Sequence, residues 1–217
     1  MIEYKLNNNA IQDLCEKLIK QDSLKVKSFK VKYWDNFESV GERMCCRSNF
    51  RKIFFYKSYK GQIIVPEYFR EDGSFERMST YLLEHMGYDI YQYAKDAGIQ
   101  PEEALIMFFI FHEYGHLMMN SNEVQEYGTF KTSRDEKATR SRIERLNLIL
   151  LMNMMHPNAE EEKAQKKFEE ECKKLILAYR FLPSEMHADR TGIMMLEKFK
   201  ENGQIKQMVK NIMMEVE

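Results

Sequence analysis

Ala104-Leu105-Ile106-Met107-Phe108-Phe109-Ile110-Phe111-His112-Glu113-Tyr114-Gly115-His116 is the stretch on which the reading of this chain turns. It is apolar on every side up to Phe111, so as a helix it belongs in the middle of a fold and not on its surface. It then ends in H-E-x-x-H. His112 and His116, four apart, leave one helix face about a turn apart, where both imidazoles can bind one zinc while Glu113 faces the metal's water. Three polar side chains in so apolar a helix are costly unless something satisfies them, and a metal cleft satisfies all three. Gly115 costs a helix about 1 kcal/mol relative to alanine, which a second backbone passing close by explains.

Working outward, Gln100-Pro101-Glu102-Glu103 suits the start of this helix, with proline in the first turn and two acids at the positive end of the dipole. Before it, Phe75, Met78, Leu82, Met86 and Ile90 keep helical spacing, which predicts one helix from Glu71-Asp72-Gly73-Ser74 to a stop at Gly98. Further upstream the pattern changes. Phe29, Val31 and Tyr33 alternate with Lys30 and Lys32 as a half-buried strand over Ser28 to Trp34. Two β-rich runs, Ile53 to Lys57 and Gln62 to Val65, flank Ser58-Tyr59-Lys60-Gly61 and read as a hairpin in a small antiparallel sheet. A first helix, about Ala10 to Gln21, reads as peripheral.

Downstream, Glu123 to Thr132 has a glycine and little periodicity and reads as a loop able to cover a cleft. Ser133-Arg134-Asp135-Glu136 has the form of a capping box opening a long helix to Met155, with Pro157 ending it. Asn158 to Leu182 pairs Glu162 with Lys166 and Glu170 with Lys174 on a solvated face. A helix over Ser184 to Lys200 follows, then an amphipathic one with Ile205, Met208, Val209, Ile212 and Met213 on one side. The fold expected is α+β and predominantly helical. It is one domain over 1–217, its sheet-containing part about 25–70 and its helical part about 74–217.

A catalytic zinc normally takes three protein ligands and a water, so a third ligand is needed. Positions three and six beyond His116 hold Met119 and Asn122, which excludes a further histidine from the same stretch. Glu136 sits at a plausible distance, but the capping box already accounts for it, and its i+4 position is Arg140 rather than an acid. Glu185 is the better candidate. In Ser184-Glu185-Met186-His187-Ala188-Asp189-Arg190-Thr191-Gly192, helical spacing puts Glu185, Ala188, Asp189 and Gly192 on one face, two carboxylates framed by two small residues. Such a helix can press against the Gly115 side of the first, bringing Glu185 to the metal and Asp189 to the outer N–H of a histidine.

Together the two motifs resemble the gluzincin zinc metallopeptidases, in which H-E-x-x-H is followed on a later helix by E-x-x-A-D or a close variant. The resemblance implies a zincin-like fold, a small N-terminal antiparallel sheet packed on the active-site helix, and a helical C-terminal half. It implies zinc as the cofactor, held by His112, His116 and Glu185, with Glu113 as general base and Asp189 as the orienting acid. The activity implied is that of a zinc metalloendopeptidase, hydrolysing peptide bonds of a protein or peptide substrate by Glu-assisted attack of zinc-bound water. The long helical stretch between the motifs also resembles the Lit-type phage-exclusion proteases. The alternative is a catalytically inactive zincin-fold interaction or regulatory protein, against which Glu113 argues, since a structural site needs no base. Donors to the transition state are open among His187, Arg190, Tyr179 and Tyr127, and an edge of the 53–65 hairpin could take up an extended peptide.

The remaining composition narrows the partners. A net charge of −1 and a pI near 6.6 over 217 residues give no basic field for nucleic acid or anionic lipid. The longest apolar runs fall short of the ~20 residues a membrane span needs. Met1-Ile2-Glu3-Tyr4-Lys5-Leu6 lacks the basic segment and apolar stretch of a secretory signal, so a cytoplasmic location is expected. Cys15, Cys45, Cys46 and Cys172 show no C-x-x-C spacing and read as reduced thiols. The sixteen methionines read as adaptable core filler.

Overall fold

Helix α4 (Pro101–Tyr127) carries the motif, and it starts where proline and the two acids place it. Its first turn is closed by Glu103, whose carboxylate accepts the Gln100 N–H at 2.8 Å. Leu105, Ile106, Met107, Phe108, Ile110, Phe111, Tyr114 and Leu117 are all fully buried, so the helix is the axis of the core. Burying one such side chain contributes about 1.5–3 kcal/mol, which is ample to hold a few costly polar groups among them.

The computed structural model describes residues 3–33, 45–53, 56–70, 74–155, 170–171, 174–175 and 177–216. Around α4 the chain runs β1 (Glu3–Leu6), α1 (Asn8–Gln21), β2 (Ser28–Tyr33), β3 (Cys45–Ile53), β4 (Tyr56–Val65), β5 (Tyr68–Arg70), α2 (Ser74–Met86) and α3 (Ile90–Ala97). After α4 come α5 (Lys131–Met155), α6 (Pro183–Glu201), α7 (Ile205–Ile212) and β6 (Met213–Val216). The class is α+β and mostly helical. No helix among the described residues is long and apolar enough to cross a membrane.

The strands form two sheets of three. In the first, β1 lies between β5 and β6 and is antiparallel to both, so the two ends of the described chain are paired, Glu3 opposite Val216 and Leu6 opposite Met213. Met213 therefore belongs to a strand and not to the last helix, whose apolar side is Ile205, Val209 and Ile212. In the second sheet β4 is central. It is parallel to β2, Ser28 opposite Lys60, and antiparallel to β3, Cys45 opposite Ile64. The sheet over 25–70 is thus mixed and not antiparallel throughout.

The hairpin differs from its sequence expectation in a second way. Ser58 to Gly61 lie within β4, whose first residue, Tyr56, pairs with Ile53 at the end of β3. Gly61 serves proximity, not a turn, because a Cβ there would run into the Leu117 side chain of α4. Tyr59 adds a hydrogen bond from its hydroxyl to the Leu117 carbonyl at 3.4 Å. With β4 flanked on both sides, the edges of this sheet among the described residues are β2 and β3.

Three helical expectations also need correction. The helix expected from 74 to 98 is two, because Gly87 takes φ 64° and the Tyr88 N–H returns to the Leu82 carbonyl. Asp89 then caps α3, accepting the N–H groups of Tyr91 and Gln92, both at 3.0 Å. Helix α1 is not peripheral: Ile11, Cys15 and Leu18 are buried in the core, and the Tyr114 hydroxyl of α4 donates to Asp22 at its end at 2.6 Å. Burial pushes the Cys15 thiol up to about 12, which makes it a packing group and not a nucleophile. Helix α5 begins at Lys131, upstream of Ser133, so Ser133 and Glu136 form no capping box there. Glu136 is used elsewhere, as described below.

The loop expected over Glu123 to Thr132 is mostly helix. Tyr127 ends α4, Lys131 opens α5, and Glu123 accepts the Thr132 N–H at 3.0 Å together with its hydroxyl, which fastens the short turn shut. Most of the charged segment over 158–182, with Pro157, Cys172 and the Glu162 and Lys166 pair, lies outside the described residues. The described residues from 174 to 180 are helical.

Candidate metal centre

Helix α6 packs antiparallel along α4, and the small residues set how close it comes. A Cβ on Gly115 would lie 2.9 Å from the Ala188 Cα and 2.9 Å from the Thr191 Cβ, inside any normal contact. Gly192 makes the same close approach to the Phe108 ring. Because backbone meets backbone here, the acids of α6 reach the histidines of α4.

Glu185 Oε2 stands 3.4 Å from His112 Nε2 and 3.5 Å from His116 Nε2. The three donor atoms lie within 4.8 Å of one another, on side chains that are buried or nearly so. Donors on a tetrahedral zinc with bonds near 2.1 Å are separated by about 3.4 Å, so the two measured edges fit that ion. His112 and His116 present their rings edge to face, centroids 4.8 Å apart, and both Nε2 atoms lie near the same carboxylate.

Asp189 is fully buried and saturated with donors. His112 Nδ1 lies 2.8 Å from Oδ1, Arg180 Nη1 donates to the same oxygen at 3.3 Å, and the Tyr81 hydroxyl donates to Oδ2 at 2.9 Å. A proton on His112 Nδ1, given to Asp189, leaves the Nε2 lone pair facing Glu185. Burial works against charge on His112, but its hydrogen bonds to Asp189 and Glu185 prevail and push it up to about 9. Burial likewise opposes charge on Glu185, yet the hydrogen bonds from His112 and His116 hold its carboxyl well below the usual carboxylate range. Carboxylates facing imidazoles in a buried site favour a positive charge between them.

Glu113 is 7 % exposed and has no hydrogen-bond or ion-pair partner among the described residues. Its charge favours the protonated form of the neighbouring His112. The four donor candidates separate. Tyr127 is half exposed with Lys131 over its ring, Arg190 faces the groove between α2 and α6 with His85, and Tyr179 accepts from Arg140. His187 is half-buried, its Nε2 has no partner among the described residues, and burial together with the charge of His116 keeps its imidazole below its ordinary value.

Of the site residues expected from sequence, the structure brings His112, His116 and Glu185 together and sets Asp189 against His112, while Glu113 follows His112 in α4. Tyr81, Arg180 and Arg140 join the site without a sequence expectation, and Glu136, weighed above as a ligand, is there in another role. Tyr81 and Arg180 complete the shell of Asp189. Arg140 donates to the second oxygen of Glu185 at 3.0 Å, and Glu136 accepts the Ser184 N–H at 2.7 Å. Only the Glu136 and Arg140 spacing, i and i+4 on one helix, carried a signal for any of them.

The chain was compared with protein-family models, curated proteins and solved structures, and none of the three gives a match.

Proposed function

We propose that the protein is a zinc-dependent metallopeptidase of gluzincin type with a zincin-like fold, hydrolysing peptide bonds of a protein or peptide substrate. The observation that carries the reading is the convergence of His112, His116 and Glu185 within 4.8 Å, with the buried Glu113 next to His112 in α4. A zinc bound there supplies a Lewis acid for the scissile carbonyl and a water acidified to a pKa of about 7. His112, His116 and Glu185 would hold the ion, while Asp189 fixes the His112 ring. Glu113 takes the proton from the attacking water and returns it to the leaving amine. The test is zinc content measured alongside cleavage of a broad peptide library, with and without chelator. Stoichiometric zinc and chelator-sensitive cleavage are expected, whereas full cleavage in the chelated protein would remove the assignment.

Two further results follow from the geometry. Asp189→Asn keeps the shape of the side chain but loses the charge that His112, Arg180 and Tyr81 share, so zinc affinity should fall about 10- to 100-fold. Competition with a calibrated chelator measures this, and an unchanged constant would separate Asp189 from the metal. The second result concerns protons. Metal-free His112 keeps its proton up to about 9, whereas zinc needs the neutral imidazole. Binding below that value therefore releases a proton, and affinity should weaken as pH falls. Calorimetric zinc titrations at about pH 7.5 in two buffers of different ionisation heat read this directly. Equal heats in both buffers would contradict it.

A further inference from the structure

We infer that Arg140 is a positioning residue of this centre, which reserves one oxygen of Glu185 for the metal by occupying the other. The inference rests on the metallopeptidase reading above. Glu185 Oε2 faces both histidines, and Oε1 accepts from Arg140 Nη2 at 3.0 Å. The two oxygens of the ligand are thus already divided, and a carboxylate so held can give the ion one bond but not two.

Arg140 is itself held from three sides. Its Nε and Nη2 donate to Glu136 Oε2 at 3.3 and 3.2 Å, its Nη2 also donates to the Ser184 hydroxyl, and its Nη1 donates to the Tyr179 hydroxyl at 3.2 Å. Glu136 closes the ring by accepting the Ser184 N–H at 2.7 Å and the Ser184 hydroxyl at 2.6 Å. Ser184 is the residue before Glu185, in the first turn of α6, so α5 grips the start of the helix that delivers the ligand. A planar guanidinium can serve these acceptors together; an ammonium cannot. Glu136 balances the charge of Arg140, so the pair orients Glu185 without adding net positive charge beside a cation site.

Without the guanidinium, Glu185 is free to turn or to chelate through both oxygens, and Glu136 is left buried beside a second carboxylate. Outer partners of this kind typically contribute 10- to 100-fold in metal affinity or activity. Arg140→Met should therefore weaken zinc binding by about that factor, and Arg140→Lys, which keeps the charge but not the fork, should fall between it and wild type. Cobalt(II) in place of zinc supplies a readout that mere loss of stability would not move, because its visible bands report coordination number. The bands of Arg140→Met should weaken toward those of a five-coordinate ion, and those of Arg140→Lys should shift partway.

A wild-type protein that takes up neither metal would overturn the reading of the site and this inference with it. Wild type that binds normally, with an Arg140→Met protein of equal zinc affinity and identical cobalt bands, would overturn this inference alone. Should Arg140→Met not fold, Arg140→Lys decides in the same way: a zinc constant and cobalt spectrum indistinguishable from wild type would show that the fork does not position Glu185.

Discussion

Glu113→Gln is expected to keep its zinc and its thermal stability while losing about 10²- to 10⁴-fold in turnover, the range a positioned acid–base group commonly contributes. The expectation follows from what Glu113 does not do. It makes no hydrogen bond or ion pair among the described residues, so an amide of the same shape breaks nothing that holds α4 in place. It is not one of the three converging donors, so the metal should stay. What the amide lacks is a basic oxygen to receive a proton from water. His112→Ala is the opposite case, since it removes a donor to the metal and strips Asp189 of its shortest hydrogen bond. That variant should lose zinc and turnover together. Zinc analysis, melting temperature and peptide cleavage on the two variants side by side separate a base from a ligand, and a fully active Glu113→Gln protein would remove the peptidase reading.

The second large effect is at Gly115. Alanine there would gain about 1 kcal/mol in helix propensity, against about 1–3 kcal/mol for forcing an extra carbon into a packed interface. The nearest neighbour is the Ala188 backbone at 2.9 Å, which has no flexible end to swing aside. Gly115→Ala should therefore be mildly destabilised despite its better propensity, and Gly115→Val by about 3 kcal/mol or more. Pushing α6 away also parts His116 from Glu185, so the valine variant should lose zinc affinity by more than its fall in melting temperature alone would suggest. Denaturant unfolding of the chelated protein, together with zinc competition, measures both. A Gly115→Val protein as stable as wild type would mean that the two helices do not meet there.

The same glycine shows why the centre was legible in the sequence. An unfavourable residue inside an apolar helix, and Ala188 with Gly192 on one face of a second, state from both sides that two backbones touch. Two motifs far apart in the chain could be joined because their small residues had to be neighbours. The groups around the ligands carried no comparable mark. Tyr81 reaches Asp189 from α2, and Arg180 reaches it from the segment before α6, so each depends on tertiary approach and on no local period. Glu136 departs from its expectation for a definite reason: Ser133 and Glu136 have the spacing of a capping box, but the helix starts at Lys131, and the carboxylate binds the start of α6 instead.

The sheets were less legible than the helices. Alternation marked β2, but pairing between β1 and β6 joins opposite ends of the chain, and nothing in four residues of either strand announces a partner so distant. Glycine permits both a tight reversal and a close approach, and only the position of Leu117 shows that Gly61 serves the second. Gly87 is the converse, a glycine in a periodic run whose left-handed backbone divides one expected helix into two.

X-ray absorption at the zinc edge of the metal-loaded chain tests the convergence of His112, His116 and Glu185 most directly. The expected spectrum has two imidazoles and oxygen neighbours at about 2.0–2.2 Å, and it is lost in Glu185→Ala. A sulfur shell at about 2.3 Å, or zinc bound equally well by the Glu185→Ala protein, would place the metal elsewhere and contradict the account.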